Sequence, residues 1–191
     1  MLMDQDGNKR SIVDLIRISN AHMQVIEQKR KQKLSISMLT NIVGIYQKEL
    51  GAAALDLMKH FQIDGNLIFK DYRMSAPQVN VVAVCIPYMH SLKYLNMEGV
   101  GFKDQQAAYL MEALRGACRI KTVCLGKNSV GPLFAKSLNH ESLQKHIEEL
   151  NICYLVNSHT YLESIFKNLI DYQNLKSLDV SGNALSDHAG T

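Results

Sequence analysis

The sequence lacks the features that would place it in several large classes of protein. It has no run of about 18 uninterrupted apolar residues, so we expect no membrane-spanning helix. The first ten residues, MLMDQDGNKR, place charges on both sides of a short apolar run, so no secretory signal is visible. No N-x-S/T glycosylation acceptor occurs. These absences favour a soluble cytoplasmic chain.

Charge and cysteine content exclude further classes. The chain has 21 basic and 18 acidic side chains, a net charge of +3, which is too balanced to indicate nucleic acid or an anionic membrane as the partner. Its four cysteines contain no C-x-x-C pair, and all four have apolar neighbours in sequence. Reduced, buried thiols in a reducing compartment are therefore expected at Cys85, Cys118, Cys124 and Cys153.

Motifs that carry catalysis or metal binding are also missing. There is no phosphate loop, no G-x-S-x-G elbow and no H-E-x-x-H. The seven histidines are scattered, and His140 and His146 are six residues apart, a spacing that fits no single helical face. Cys124 and Cys153 lack the third and fourth ligands of a structural zinc site. We expect no enzyme activity, no cofactor and no metal.

The sequence does contain an internal repeat, which we test first because it decides the fold. Five short apolar segments fit the form L-x-x-L-x-L-x-x-N-x-L at least in part. They are GNLIFKDYRM (Gly65–Met74), LKYLNMEGVGF (Leu92–Phe102), IKTVCLGKNSV (Ile120–Val130), IEELNICYLVN (Ile147–Asn157) and LKSLDVSGNAL (Leu175–Leu185). Their second apolar positions are Leu67, Leu95, Val123, Leu150 and Leu178. The spacings of 28, 28, 27 and 28 residues are too regular for a chance alignment.

Between these segments the apolar period changes to that of a helix. Apolar residues recur at helical spacing between Gln105 and Leu114, and again between Tyr161 and Ile170. Each unit is therefore predicted to consist of a strand, a turn and a helix. The glycines of GVG at Gly99–Gly101 fall in such a turn, where backbone geometry explains them.

This pattern resembles the ribonuclease-inhibitor-like type of leucine-rich repeat, over roughly Asp64 to Thr191. The resemblance implies an α/β solenoid with a parallel sheet on the concave side and helices on the convex side. The family uses an Asn to hydrogen-bond neighbouring backbone, and this chain keeps it at Asn128 and Asn183. The equivalent places in the other three repeats are taken by Tyr72, Val100 and Leu155.

The N-terminal residues do not follow the repeat. Residues 1–63 are predicted to form an α-helical segment, and residues 64–191 a solenoid of about five repeats. One helix is expected over Ser11–Lys33, which ends in the basic run KRKQK, and a longer one over Ser35–Phe61. A solenoid leaves the apolar face of its first repeat bare, so we interpret Ser35–Phe61 as its cap. The basic run is interpreted as a solvated helix end rather than a targeting or acidic-partner signal.

The fifth repeat stops at SGNALSDHAGT, where Gly190 occupies the place that opens a helix in family repeats. An uncapped repeat would expose apolar surface and a sheet edge. We therefore expect that the chain is truncated at its C-terminal end, as a fragment of a longer protein, or that a partner covers this end, with the first option favoured. Such a fragment is expected to melt with low cooperativity and to aggregate.

Side chains that flank the buried leucines are predicted to point outward from the concave sheet. They mix polar, small and apolar types, which suits protein recognition better than a phosphate backbone. Tyr94 and Glu98 are the strongest candidates, because interfaces often use an aromatic anchor beside a charge. The predicted protein-binding residues are Lys70, Tyr94, Asn96, Glu98, Thr122, Glu149, Asn151, Ser177 and Asp179.

Three functions remain open at this stage. A non-catalytic scaffold or adaptor within a larger cytoskeletal, ciliary or organellar complex is favoured, since a solenoid has a long surface for its mass. A regulator of a small GTPase is the alternative, because one branch of the resembled family activates GTPases; its candidate arginines are Arg73, Arg115 and Arg119. The sensing portion of an innate-immune receptor is a weaker alternative, since no nucleotide-binding module precedes the repeats.

Overall fold

The computed structural model describes residues 2–3, 9–10, 34–61, 65–155 and 159–183. Its main feature is a five-stranded parallel sheet in which each strand lies beside the next one in sequence. The strands are β3 (Asn66–Ile68), β4 (Tyr94–Asn96), β5 (Thr122–Cys124), β6 (Glu149–Asn151) and β7 (Ser177–Asp179). A separate antiparallel pair joins β1 (Leu2–Met3) to β2 (Lys9–Arg10). Among the described residues, no helix is long and apolar enough to cross a membrane.

The register of the sheet is the one that the repeat predicts. Leu67, Leu95, Val123, Leu150 and Leu178 are paired in succession across the five strands. The first four are at most 2% exposed, whereas Leu178 on the last strand is 37% exposed. Burial of each leucine side chain contributes about 2 kcal/mol. A slip of one residue would turn this row toward solvent, so the register is strongly fixed.

Helices connect consecutive strands and pack against the face of the sheet that carries the buried leucines. They are α4 (Ala76–Cys85, followed by a 3-10 turn at Ile86–Tyr88), α5 (Asp104–Leu114), α6 (Pro132–Ser137), α7 (Glu141–His146) and α8 (His159–Leu169). The third repeat thus has two short helices where one was expected. The helical conformation is interrupted at His140, whose backbone is extended. The His140 Nδ1 accepts a hydrogen bond from the Ser142 N–H at 3.2 Å. A side chain that binds nearby backbone in this way competes with a continuous helix.

A left-handed turn follows the strand in every repeat. The residues at this position are Asp71, Gly99, Lys127, Tyr154 and Gly182, with φ between 49° and 68°. Glycine adopts this conformation without steric cost, which confirms the geometric reading of Gly99. The other three residues tolerate it at some cost, and the N–H of Lys127 donates to the Cys153 carbonyl at 2.8 Å. The turn is therefore held by the neighbouring repeat.

The two retained asparagines bind backbone as the resemblance implied. The Asn128 amide donates to the carbonyls of Met97, Leu125 and Gly126 at 2.7–3.0 Å, and its Oδ1 accepts from the Gly101 N–H at 2.8 Å. The Asn183 amide donates to the carbonyls of Ile152 and Val180 at 2.7–2.8 Å, and its Oδ1 accepts from the Leu155 N–H at 2.8 Å. In two of the other repeats the place is filled by buried Val100 and Leu155.

The segment Ser35–Phe61 is not one helix, and that prediction was wrong. It forms α1 (Ile36–Ile45), α2 (Gln47–Leu50) and α3 (Ala53–Lys59). The breaks come at Tyr46 and at Gly51, whose φ of 54° lies in the left-handed region. Glycine is a poor helix former, and this backbone conformation ends the helix. The predicted helix Ser11–Lys33 lies outside the described residues, as does the C-terminal segment 184–191.

These three helices pack on the first repeat. Phe61, just after α3, forms an antiparallel bridge with Leu67 at the free edge of β3. The Tyr72 hydroxyl donates to the Asp56 carboxylate at 2.8 Å, and this bond lowers the pKa of Asp56. The His60 ring lies 4.6 Å from that of Tyr72. The apolar side and the open edge of the first repeat are therefore covered.

Replacing Asn128 by alanine would leave several buried carbonyls and the Gly101 N–H without their partner. We expect Asn128→Ala to lower the free energy of unfolding by about 2 to 3 kcal/mol. The measurement is urea denaturation followed by circular dichroism. Asn139→Ala, at an exposed position, is the control and should change stability by less than about 0.5 kcal/mol. Equal losses in the two variants would contradict the role of Asn128.

Candidate functional site

The strand residues that flank the buried leucines form two rows across the sheet. One row consists of Asn66, Tyr94, Thr122, Glu149 and Ser177, and the other of Ile68, Asn96, Cys124, Asn151 and Asp179. Each row has one residue from every repeat, because the strands are in register. Adjacent strands lie about 4.8 Å apart, so each row spans roughly 19 Å. The structure thus brings the sequence-predicted residues of the strands together on one surface.

Near β4 this surface is held together by side-chain bonds. The Asn96 amide donates to the Tyr94 hydroxyl at 3.0 Å, and Asn96 Oδ1 accepts the Glu98 N–H at 3.0 Å. Asn96 and Glu98 are only 7% and 8% exposed. Partial burial raises the pKa of the Tyr94 hydroxyl, so it remains protonated at neutral pH. Tyr94 is thereby held in one position by its own strand.

Glu98 was predicted as the charge beside the Tyr94 anchor, and in the structure it is buried and paired with lysines. Its carboxylate pairs with Lys127 at 2.6 Å and with Lys70 at 3.8 Å. The hydrogen bond to Glu98 raises the pKa of Lys127. Glu98 is covered because its two neighbouring repeats each supply a lysine. Sequence reasoning missed Lys127, whose place in the left-handed turn is not apparent from the strand pattern.

The other half of the concave face is more open. Thr122 Oγ1 lies 3.1 Å from Glu149 Oε2, and the Asn151 amide donates to the Asp179 carboxylate at 3.1 Å. Asp179 also accepts the Ser181 N–H, and hydrogen bonds from Ser181 lower its pKa. Glu149 and Ser177 are exposed, as are Lys70 and Ile68 at the opposite end. Ile68 is 50% exposed, an apolar side chain in contact with solvent.

The cysteines divide into different environments, which corrects one expectation. Cys85 and Cys153 are buried and Cys124 is half-buried, but Cys118 is exposed. Cys118 was expected to be buried because of its apolar neighbours in sequence; the chain instead turns outward at Cys118 and Arg119 before the buried Ile120. All four thiols are free. Burial raises the pKa of the Cys85 thiol to about 12.

The metal and GTPase readings each depend on particular side chains of the described residues. No group of three His, Cys, Asp or Glu side chains within them could hold a metal ion. Of the arginines considered for GTPase regulation, Arg115 pairs with Glu112 at 2.6 Å at the end of α5, and Arg73 and Arg119 are exposed.

Comparison with known proteins identifies the fold. No family model and no curated protein matches the sequence. The structure is similar to a solved tropomodulin C-terminal domain from Caenorhabditis elegans, with a TM-score of 0.58 and 12% sequence identity. The match covers 79% of this chain and 86% of that one. The chain therefore has a leucine-rich-repeat-like fold, in agreement with the sequence-based prediction of a solenoid.

The environments of the cysteines predict a clear order of reactivity. Brief treatment of the native protein with iodoacetamide at pH 8 should modify Cys118 first, because its thiol is accessible. Cys85 should remain unmodified, since it is buried and its pKa of about 12 leaves almost no thiolate. Peptide mass spectrometry measures both sites, with urea-unfolded protein as the control in which all four react. Early modification of Cys85 in the native protein would contradict this structure.

Proposed function

We propose that this chain is a non-catalytic protein-interaction scaffold or adaptor, built on ribonuclease-inhibitor-like leucine-rich repeats, that binds a partner protein across its concave face. Helices α1–α3 serve as the N-terminal cap of the solenoid. The single observation that carries the proposal is the in-register surface of five strands, roughly 19 Å wide, with accessible side chains from every repeat.

The character of this surface supports a protein partner. Exposed Ile68 offers an apolar contact, Thr122 and Ser177 offer hydroxyl groups, and Glu149 offers a charge. A mixture of this kind is typical of protein interfaces, whereas phosphate backbones require clustered cations. Tyr94 is fixed by Asn96, so less conformational entropy is lost when a partner packs against its ring.

The fold similarity to a tropomodulin domain supports one of the proposed settings. Of the cytoskeletal, ciliary and organellar assemblies considered from sequence, a cytoskeletal complex agrees best with this structural neighbour. The neighbour is a likeness of fold, and fold alone does not carry a function with it. The proposal for this chain therefore depends on its own concave face.

A pair of matched substitutions tests which face binds. Thr122→Arg places a long cation in the middle of the concave face, and Thr160→Arg makes the same change at an exposed position on helix α8. Proteins captured from cells by the wild-type chain are quantified by mass spectrometry, and the same proteins are then measured with each variant. We expect Thr122→Arg to lower their recovery at least tenfold, and Thr160→Arg to leave it within about twofold.

Circular dichroism must first show that both variants fold like the wild-type chain. Equal recovery with Thr122→Arg and the wild type would contradict binding through the concave face. A partner retained only in the presence of a guanine nucleotide would support the GTPase-regulator alternative instead. Loss with both variants would show that the contact does not depend on one face.

A further inference from the structure

A row of charged residues lies at the end of the sheet where the strands begin, just before the first residue of each strand. Lys93, Lys121, Glu148 and Lys176 each directly precede a strand, in four successive repeats. The N–H of each of the last three donates to the carbonyl of the residue before it in the row, at 2.7–2.9 Å. Their side chains therefore start from adjacent points along one edge. We call these four residues, with exposed Arg119, the lysine rim.

Glu148 shows how the lysine rim holds a carboxylate. Its Oε1 lies 2.5 Å from Lys121 Nζ, and its Oε2 lies 2.6 Å from Lys176 Nζ. The Lys121 and Lys176 side chains remain 57% and 71% exposed. Hydrogen bonds from Lys121 and then Lys176 lower the pKa of Glu148 to about 2, so its carboxylate stays ionised at any physiological pH. Two lysines, one from the repeat before Glu148 and one from the repeat after it, thus share its carboxylate.

The other end of the lysine rim has cations without such a carboxylate. Lys93 and Arg119 are both exposed, and none of the ion pairs within the described residues includes either of them. The first repeat has Gly65 at the equivalent place, so no acidic side chain occupies that position next to Lys93. The rim therefore combines four cations with a single carboxylate, and its excess charge lies at Lys93 and Arg119, ahead of β4 and β5.

We infer that the lysine rim binds an acidic segment of a partner protein, with a carboxylate of that segment held by the adjacent Lys93 and Lys121. This surface is distinct from the concave face and does not depend on the proposed function. The two surfaces adjoin, because Thr122 directly follows Lys121. A partner on the concave face can therefore extend an acidic segment over the rim.

The geometry favours an acidic peptide over a nucleic acid. The four rim positions before the strands span about 14 Å, at the 4.8 Å strand spacing, which is the length of a few extended residues. An extended peptide presents side chains on one side about 6.7 Å apart, so it can place one or two carboxylates along the rim. A nucleic acid duplex carries about one charge per 3.4 Å along each strand, so its phosphates cannot avoid Glu148, whereas a peptide can place an uncharged residue beside it.

Fluorescence anisotropy with a labelled peptide tests the inference directly. The probe is a twelve-residue peptide of alternating Glu and Ser, and the control peptide has Gln in place of each Glu. Lys93→Glu combined with Lys121→Glu should weaken binding of the acidic peptide at least tenfold, and raising the salt concentration should weaken binding to the wild type. Lys136→Glu combined with Lys167→Glu changes the net charge equally on the convex side and should alter the Kd less than threefold.

A second substitution separates the lysine rim from general charge effects. Glu148→Gln removes the internal carboxylate that competes for Lys121 and Lys176, so the acidic peptide should bind several-fold more tightly. Glu49→Gln removes one carboxylate at an exposed site in α2 and should leave the Kd nearly unchanged.

Three results would overturn the inference. They are failure of the acidic peptide to bind at millimolar concentration, equal effects of the rim and convex lysine pairs, and no gain with Glu148→Gln. A single-stranded oligonucleotide of equal charge provides the last comparison. If it binds more tightly than the peptide and with the same dependence on Lys93 and Lys121, the rim recognises nucleic acid and not an acidic protein segment.

Discussion

The structure depends on the pairing of each strand with the strand of the next repeat. The same backbone hydrogen bond recurs at all four interfaces between neighbouring strands. At each interface an N–H donates to a carbonyl of the following strand at 2.7–2.8 Å, and the donors are Phe69, Met97, Leu125 and Ile152. The side chains of these four residues are buried beneath the sheet. The same residues therefore hold the backbone register and supply core contacts, so a slip of the pairing would disrupt both.

Once this register is set, the two candidate surfaces follow from it. The residues between buried positions point to the concave face, and the residues just before the strands line the edge as the lysine rim. Because successive repeats are one strand spacing apart, side chains from different repeats reach each other. Glu98 binds lysines of the repeats on both sides, and Glu148 binds Lys121 and Lys176. Cross-repeat pairs of this kind give each surface its charge pattern.

The sequence was sufficient for the parts of the fold that depend on periodicity. The 28-residue spacing places Leu67, Leu95 and Val123 in one row, and the asparagine of the repeat predicts the backbone contacts of Asn128. Helix interruptions that depend on single residues were not predictable from periodicity. Breaks at Tyr46 and Gly51 divide Ser35–Phe61 into three helices, and the His140 side chain divides the helix of the third repeat.

The sequence predicted which face of the sheet carries the candidate residues, but not how exposed each side chain is. Alternation along a strand indicates which face of the sheet a side chain is on. Glu98, however, is covered by lysines that are 28 and 29 residues away in sequence. Ion pairs between residues so far apart leave no local pattern in the sequence. The same reason explains why the lysine rim was missed. Its residues look like ordinary surface charges until the register places Lys121 and Lys176 on either side of Glu148.

Hydrogen exchange measured residue by residue with NMR tests the strand register most directly. If the account is correct, the amides of Phe69, Met97, Leu125 and Ile152 exchange slowly, because each is bonded across a repeat interface. The exposed Arg119 amide, outside the strands, provides the fast-exchanging comparison. Rapid exchange at the four bonded amides in the folded protein, at rates like that of Arg119, would contradict the parallel pairing on which the proposed surfaces depend.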